Sequence, residues 1–152
     1  MGIYLALHVL SVVVWVGGMF FAWMVLRPVA AGQLEPPLRL KLWRGVFERF
    51  FPWVWAGILL IIASGTMMII ETGGLAATTP SVRAMITLGT VMMLIFFHVY
   101  FAPFRRIRRC LDAEDYPAAG QQLATIRKLV GFNTLLGVIT IAVATAGKYY
   151  LV

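Results

Sequence analysis

The first long apolar stretch of the chain decides the fold class. Residues 3–26 read IYLALHVLSVVVWVGGMFFAWMVL and contain no Lys, Arg, Asp or Glu. A transmembrane helix needs about 20 predominantly apolar residues. Further uncharged stretches follow at 50–70, 84–104 and 129–147. Because lipid cannot satisfy backbone polar groups, each stretch is predicted to be a helix, and the chain is predicted to be an all-α membrane bundle of four helices.

The composition agrees with this fold class. Of the 152 residues, 61% are hydrophobic and 12% are charged, whereas a soluble domain has about 25% charged residues. The mean hydropathy is +0.88. These values exclude a disordered chain, and the length allows a single membrane domain, residues 1–152. The single cysteine, Cys110, excludes an intramolecular disulfide and a cysteine-based metal cluster.

The positive charges predict the orientation of the helices. Eleven of the thirteen Lys and Arg residues lie in the first and third connections. They are Arg27, Arg39, Lys41, Arg44, Arg49, Arg105, Arg106, Arg108, Arg109, Arg127 and Lys128. By the positive-inside rule these connections are cytoplasmic, and both chain ends face outside. The net charge of +7 is then explained by a lipid surface, without nucleic acid as a partner. We expect a multi-pass protein of a bacterial cytoplasmic membrane.

Both cytoplasmic connections carry helix signals. In the first, Leu38, Leu42, Val46 and Phe50 recur every four residues among basic residues. This pattern predicts a short amphipathic helix at 38–51 that lies on the inner membrane surface. In the third connection, residues 112–117 are acidic and end in proline, which is typical of a helix start. That helix is predicted to continue into the fourth span.

The first and fourth spans each carry a stripe of small and polar residues. The stripes consist of His8, Ser11, Trp15, Gly18 and Ala22, and of Asn133, Gly137, Thr140, Ala144 and Gly147. Residues three or four positions apart share one face of a helix. Such faces pack helices together in lipid. We expect most of these residues to serve interhelical packing and local hydrogen bonds.

Two histidines lie within the spans, and each has two interpretations. An ionisable group in lipid is a functional candidate, because leaving it unpaired is costly. The alternative for His8 is a neutral ring hydrogen-bonded to Asn133, a serine or a backbone carbonyl. His98 lies close enough to the inner surface to face the headgroups instead. The two histidines differ by about 17 Å in depth, whereas two ligands on one metal ion lie about 4 Å apart. We therefore do not expect both histidines to hold one haem.

Methionines lie at the depth of His8. Met67, Met68 and Met85 fall roughly 9–12 Å outward of the centres of their spans, as His8 does. Imidazole and thioether ligands together suit Cu(I), or a haem with one histidine and one methionine ligand. Packing is the alternative, since methionine is a common apolar filler. Met85 and His98 lie about 220° apart around the third span and so face opposite ways.

The first span resembles the opening helix of the copper resistance protein D (CopD) family. The resemblance rests on Leu7-His8, Trp15 seven residues later, and Gly17-Gly18. Weaker similarities follow at residues 97–100 before a run of arginines, and at residues 127–137. Family members are usually larger, so the chain resembles a short, stand-alone form. This resemblance implies copper uptake or handling.

A more distant resemblance is to HemJ, a membrane protoporphyrinogen oxidase with the same His–Trp–Gly spacing. HemJ proteins carry an essential lysine in the third helix, where this chain has Arg83 and Met85. The difference counts against the oxidase activity. It leaves binding of haem b as an alternative, with His8, Trp15 and His98 as the cofactor-binding candidates.

Three functions follow from these observations. In the first, His8, Met67, Met68 and Met85 accept Cu(I) from the outer side. In the second, the protein binds haem b and transfers electrons. In the third, it is an accessory subunit whose polar stripes contact a partner in a membrane complex. A pathway through four helices would call for a homo-oligomer, and no catalytic residue is assigned. We rank copper first, because the CopD resemblance is closer and the histidines are badly placed for one haem.

Overall fold

The chain folds into four long helices. The computed structural model describes residues 1–150. In it α1 spans Gly2–Gln33, α2 spans Pro36–Glu71, α3 spans Pro80–Asp112 and α4 spans Tyr116–Tyr150. Each helix contains one predicted span, and all four are long and apolar enough to cross a membrane. No strand occurs in the part of the chain that is described. The prediction of an all-α four-helix membrane bundle is confirmed.

The two ends of the bundle differ in charge and in content. We call the end formed by residues 27–49 and 105–128 the basic end, because it holds most of the arginines. The opposite end contains the start of α1, the end of α4 and the loop 72–79, which includes the short 3-10 helix Leu75–Ala77. We call it the loop end. In the predicted orientation, the basic end faces the cytoplasm.

Prolines accompany a local widening of α1 and α3 near the basic end. Ala22–Leu26 of α1 and Tyr100–Phe104 of α3 form π-helical turns. Pro28 lies two residues after the first turn, and Pro103 lies within the second. Proline lacks a backbone N–H and crowds the preceding turn, and a π turn accommodates this without ending the helix. Both helices therefore continue past the spans into the basic end.

The segment 38–51 is helical, but it is not a separate helix on the membrane surface. It forms the first part of α2, which runs unbroken through Pro52. The predicted apolar face is also shifted: the buried side chains are Leu40, Trp43, Phe47 and Phe51, whereas Leu38 is 58% exposed. The reason is that α3 and α4 also extend beyond the spans here, and their apolar side chains offer this segment a protein surface.

The start of α4 agrees with the sequence signals. The Oδ1 atom of Asp115 accepts a hydrogen bond of 3.1 Å from the backbone N–H of Ala118. This side-chain cap satisfies one of the free donors at a helix N-terminus. Pro117 lies in the first turn, where its missing N–H costs nothing. From there α4 continues into the fourth span without a break.

Small residues bring α1 against α2. A Cβ atom added to Gly18 would collide with the ring of Phe50, and one added to Gly57 would lie 3.6 Å from the backbone oxygen of Ser11. Residue numbers rise along α1 as they fall along α2, so the two helices are antiparallel. The stripe of the first span therefore faces α2.

The same kind of contact brings α1 against α4. A Cβ atom at Gly137 would lie 2.9 Å from a methyl carbon of Val16, and one at Gly131 would lie 2.6 Å from Nε1 of Trp23. These helices are also antiparallel. Since α3 packs chiefly against α4, α1 lies between α2 and α4 and contacts both.

Aromatic rings fill the core on the side of the basic end. The ring of Phe51 contacts Phe47, Phe96, Tyr100 and Phe104, with centroid separations of 4.8–6.0 Å. These residues come from α2 and α3, so aromatic contacts join these two consecutive helices. The loop end has no such cluster among the described residues.

Candidate functional site

His8 lies on α1 toward the loop end and faces α2. Its Nδ1 atom is 3.1 Å from Oγ of Ser64, a side chain that is only 3% exposed. A Cβ atom added to Gly65 would lie 3.4 Å from Cε1 of the imidazole ring. The missing side chain at Gly65 therefore lets the ring lie close against α2. We call His8, Ser64 and Gly65 the His8 site.

The hydrogen bonds of the His8 site assign the tautomer of the imidazole. Oγ of Ser64 donates to the carbonyl oxygen of Leu60 at 2.5 Å, which uses its one hydroxyl proton. With this proton directed to Leu60, Oγ of Ser64 is assigned as the acceptor and Nδ1 of His8 as the donor. Nε2 then keeps its lone pair. Metal-binding histidines are usually oriented in this way, by a hydrogen bond from the other ring nitrogen.

The sequence predicts the kind of hydrogen-bond partner that His8 has but not which residue it is. A serine was among the partners considered for His8, and Asn133 was another. The structure places Ser64 of α2 there, while Asn133 lies elsewhere in the bundle. In the sequence, Ser64 and Gly65 are two small residues of the second span. Nothing in that pattern identifies them as neighbours of His8.

The methionines predicted to accompany His8 occupy three different settings. Met68 is half-buried and lies four residues beyond Ser64 on α2, so it is one turn nearer the loop end on a similar face. Met67 is 38% exposed. Met85 is half-buried on α3, a helix that packs chiefly against α4. Position along α2 therefore favours Met68 as the methionine next to the His8 site.

His98 and Trp15 lie in contrasting surroundings. His98 is exposed on the outside of α3, while Phe96 and Val99 of the same turn are buried. Trp15 is 3% exposed, and its ring meets the ring of Phe96 edge-on at a centroid separation of 6.2 Å. The structure therefore does not bring His98 toward the His8 site, and it uses Trp15 as a core residue.

A second polar group, centred on Asn133, lies deeper in the bundle. Its Nδ2 atom donates to the carbonyl oxygen of Met92 at 3.3 Å and lies 3.7 Å from Sδ of Met19. Oγ1 of Thr140 lies 3.8 Å from Sδ of Met92. Oδ1 of Asn133 has no hydrogen-bond partner among the described residues. The sequence predicts Asn133 and Thr140 as packing residues. It gives no signal for Met19 and Met92, because only the packing of three helices brings them beside Asn133.

Asn133 also lines a cavity of about 30 Å³ together with Trp15, Met19, Phe51 and Phe96. This volume suits about one water molecule. Pockets that hold organic ligands measure about 300–1,000 Å³. A second cavity, of about 130 Å³, lies between Phe47, Trp55 and Tyr100, and it too is smaller than such pockets.

The described residues contain no group of three or more His, Cys, Asp or Glu side chains that could hold a metal ion. Any metal site in this part of the chain must therefore use few ligands, or thioethers. The His8 site provides one oriented imidazole nitrogen, with Met68 one turn away. This arrangement differs from the carboxylate-rich sites that harder cations prefer.

The fold and the charge distribution define the class: the chain is a multi-pass helical membrane protein. A family model described as Copper resistance protein D (CopD) matches residues 44–146, or 103 of the 152 residues. The chain therefore belongs to the CopD family, whose name relates it to copper resistance. The match covers most of α2, all of α3 and most of α4, and leaves His8 outside. No curated protein and no solved structure matches the chain.

Proposed function

We propose that the protein binds Cu(I) at the loop end through Nε2 of His8 and the thioether of Met68. The observation that carries the proposal is the hydrogen bond between Nδ1 of His8 and Oγ of Ser64, at 3.1 Å. It holds the ring against α2 and leaves Nε2 as an acceptor. Membership of the CopD family supports copper as the metal.

The chemistry of these side chains suits a soft, singly charged ion. Imidazole binds metal in its neutral form, and the assigned tautomer of His8 is neutral. Thioethers select Cu(I) over harder cations. Met67 and Met85, which the sequence places at the same depth, are proposed as further thioethers near the ion. One more sulfur ligand would suffice to complete a low-coordinate site.

The predicted topology indicates the side of the membrane from which copper would reach the His8 site. With the basic end in the cytoplasm of a bacterial cell, the His8 site opens toward the outer side of the cytoplasmic membrane. The protein would then take up copper from outside and handle it at the membrane. Since four spans form only a thin bundle, passage of copper across the membrane would require a second copy or a partner subunit.

The test is titration of the purified protein with Cu(I) against a competing chelator. His8→Ala should abolish binding, because it removes the one oriented nitrogen ligand. His98→Ala is the matched control, since His98 is exposed, and it should leave the affinity unchanged. Unaltered binding by His8→Ala would overturn the proposal. Loss of binding in His98→Ala would move the site to the basic end, and a haem absorption band in the purified protein would contradict the choice of copper.

The role of Ser64 needs a separate experiment. Ser64→Ala removes the acceptor that orients His8 and should weaken Cu(I) binding by about 10–100-fold, as loss of such partners does at other metal sites. Ser64→Thr keeps a hydroxyl and should restore most of the affinity. Met68→Leu keeps the side-chain bulk, removes the sulfur and should also weaken binding. If Ser64→Ala and Ser64→Thr bind equally, the hydroxyl has no orienting role.

A further inference from the structure

Four arginines of the chain are half-buried, and all of them lie at the basic end. One of them, Arg44, is neutralised within the protein: it pairs with Glu48 at 3.0 Å and with Asp112 at 2.6 Å. The other three form no ion pair with any described residue. They are Arg27, Arg39 and Arg127, and we call them the arginine cluster.

The packing of α1 on α4 brings two members of this cluster together. Trp23 of α1 lies directly over Gly131 of α4, where a Cβ atom would be 2.6 Å from Nε1. Arg27 follows Trp23 by four residues, and Arg127 precedes Gly131 by four. Because the helices are antiparallel, both steps lead one turn toward the basic end. Arg27 and Arg127 therefore extend from facing turns at the same level.

Arg39 lies near the start of α2, and its positive charge acts on the guanidinium of Arg127. Burial and, next, the positive charges of Arg27 and Arg39 lower the pKa of Arg127. Arg27 is also held in place, with its guanidinium 5.5 Å from the centroid of the Trp23 ring. Three like charges partly removed from water repel one another, and no carboxylate of the described residues lies within ion-pair distance of them. An anion from outside the chain would relieve this repulsion.

The surroundings of the arginine cluster indicate which anion. Leu38, the residue before Arg39, presents an apolar side chain to the exterior and is 58% exposed, so apolar surface adjoins the cluster on α2. A free anion in water gains nothing from such a surface, whereas lipid acyl chains do. Guanidinium groups match the geometry of phosphate oxygens. Basic pockets between transmembrane helices on the cytoplasmic side bind anionic headgroups.

We propose that the basic end holds the phosphate group of an anionic phospholipid between Arg27, Arg39 and Arg127, with an acyl chain along the exposed apolar surface at Leu38. This lipid site is separate from the His8 site and does not depend on copper binding. It would tie α1, α2 and α4 together at the membrane surface, where these three arginines have no ion-pair partner among the described residues.

The test compares two variants that remove the same charge from the same end. Arg27→Gln/Arg39→Gln/Arg127→Gln removes the cluster, and Arg49→Gln/Arg106→Gln/Arg109→Gln removes three exposed arginines as the control. Native mass spectrometry in neutral detergent measures retention of added phosphatidylglycerol or phosphatidylcholine. The wild type and the control should retain phosphatidylglycerol, and the cluster variant should bind it at least about tenfold more weakly. Equal losses in the two variants, or equal retention of the two lipids by the wild type, would overturn the proposal.

Thermal melting in neutral detergent provides a readout that does not depend on retention of the lipid. Phosphatidylglycerol should raise the melting temperature of the wild type but not that of the cluster variant. Without lipid, the cluster variant should melt no lower than an Arg27→Gln variant, which loses the contact with Trp23 alone, because the repulsion is gone. A lower melting temperature there would mean that the arginines stabilise the protein through internal contacts, which would overturn the proposal. The same increase with inorganic phosphate would identify a free anion, and would equally overturn the lipid site.

Discussion

The two ends of the bundle are held together by different interactions. All buried hydrophobic side chains among the described residues lie within 15–58 or 92–126, toward the basic end. Toward the loop end the buried side chains include three serines, Ser11, Ser64 and Ser81. The helices meet there through glycines, hydroxyls and the ion pair between the Met1 amino group and Glu71, whereas toward the basic end aromatic rings and the ion pairs of Arg44 and Arg108 join them in addition to glycine contacts.

The solvent explains the part of this difference that lies beyond the spans, since the aromatic contacts of Phe51, Phe96 and Phe104 lie within spans 50–70 and 84–104. Between helices in lipid there is no hydrophobic driving force, so close approach of small residues and local hydrogen bonds hold them together. Where the helices extend into water at the basic end, apolar burial again contributes. The proposed copper ligand His8 lies in the half with few buried apolar contacts. Ligand-binding regions often occupy the less stable part of a structure, and the aromatic half then serves as its support.

The basic end is predicted to face the cytoplasm and the loop end to face outside. Cysteine labelling tests this orientation, and the expected difference in labelling between the two ends is all or none. In a Cys110→Ser background, Ala76→Cys places a thiol in the exposed loop. It should react with a membrane-impermeant maleimide in intact cells. Arg106→Cys, exposed at the basic end, should react only after permeabilisation. The reverse pattern would invert the topology, and copper could then not arrive from outside.

The aromatic half should show the largest loss of stability on truncation. Phe51 is 4% exposed and contacts four other rings, so Phe51→Ala should lower the free energy of unfolding by about 3 kcal/mol, the lower end for a buried phenylalanine. Val9→Ala, at an exposed position on the loop-end half of α1, is the control and should change it by less than about 1 kcal/mol. Unfolding in a detergent titration measures both. Equal losses would remove the distinction between the two halves.

Much of the fold could be predicted because lipid leaves the backbone few choices. Each uncharged run had to be a helix, and the arginine bias indicated which ends lie together. The fate of residues 38–51 could not be predicted in the same way. The apolar face with Leu38 and Leu42 could pack on a membrane surface or on protein. The face with Leu40 and Trp43 is the buried one, because α3 and α4 extend far enough to cover it.

The site was predictable residue by residue but not as an arrangement. His8 could be identified because an ionisable group in an apolar span is rare. Its partner Ser64 could not, since the register of α1 on α2 depends on contacts such as Gly57 with Ser11. The placement of Met19 beside Asn133 requires a third helix as well. Depth along a helix follows from residue counting, but the direction in which a side chain points between helices does not.

Close approach at glycine should matter less than aromatic packing but remain measurable. A Cβ atom at Gly137 would lie 2.9 and 3.0 Å from the methyl carbons of Val16, and valine has little rotamer freedom in a helix. Gly137→Ala should therefore cost about 1–3 kcal/mol of unfolding free energy. Gly89→Ala, with no atom within 4 Å, is the matched control and should be neutral or slightly stabilising. Adding Val16→Ala to Gly137→Ala should recover most of the loss; no recovery would mean that another contact is responsible.

The smallest effect is expected from the ion pairs of the basic end. Arg44 bonds Glu48 and Asp112, whose side chains are 39% and 65% exposed. Hydrogen bonds to Asp112 and Glu48 raise the pKa of Arg44, so it stays charged at any working pH. Exposed pairs contribute at most about 1 kcal/mol and are screened by salt.

Arg44→Gln should therefore lower the unfolding free energy by less than about 1 kcal/mol at low salt, and high salt should shrink the difference. Lys41→Gln, exposed and without an ion pair among the described residues, is the control. If Arg44→Gln costs as much as Phe51→Ala, then charge rather than aromatic packing holds the basic end together, and the contrast between the two ends no longer stands.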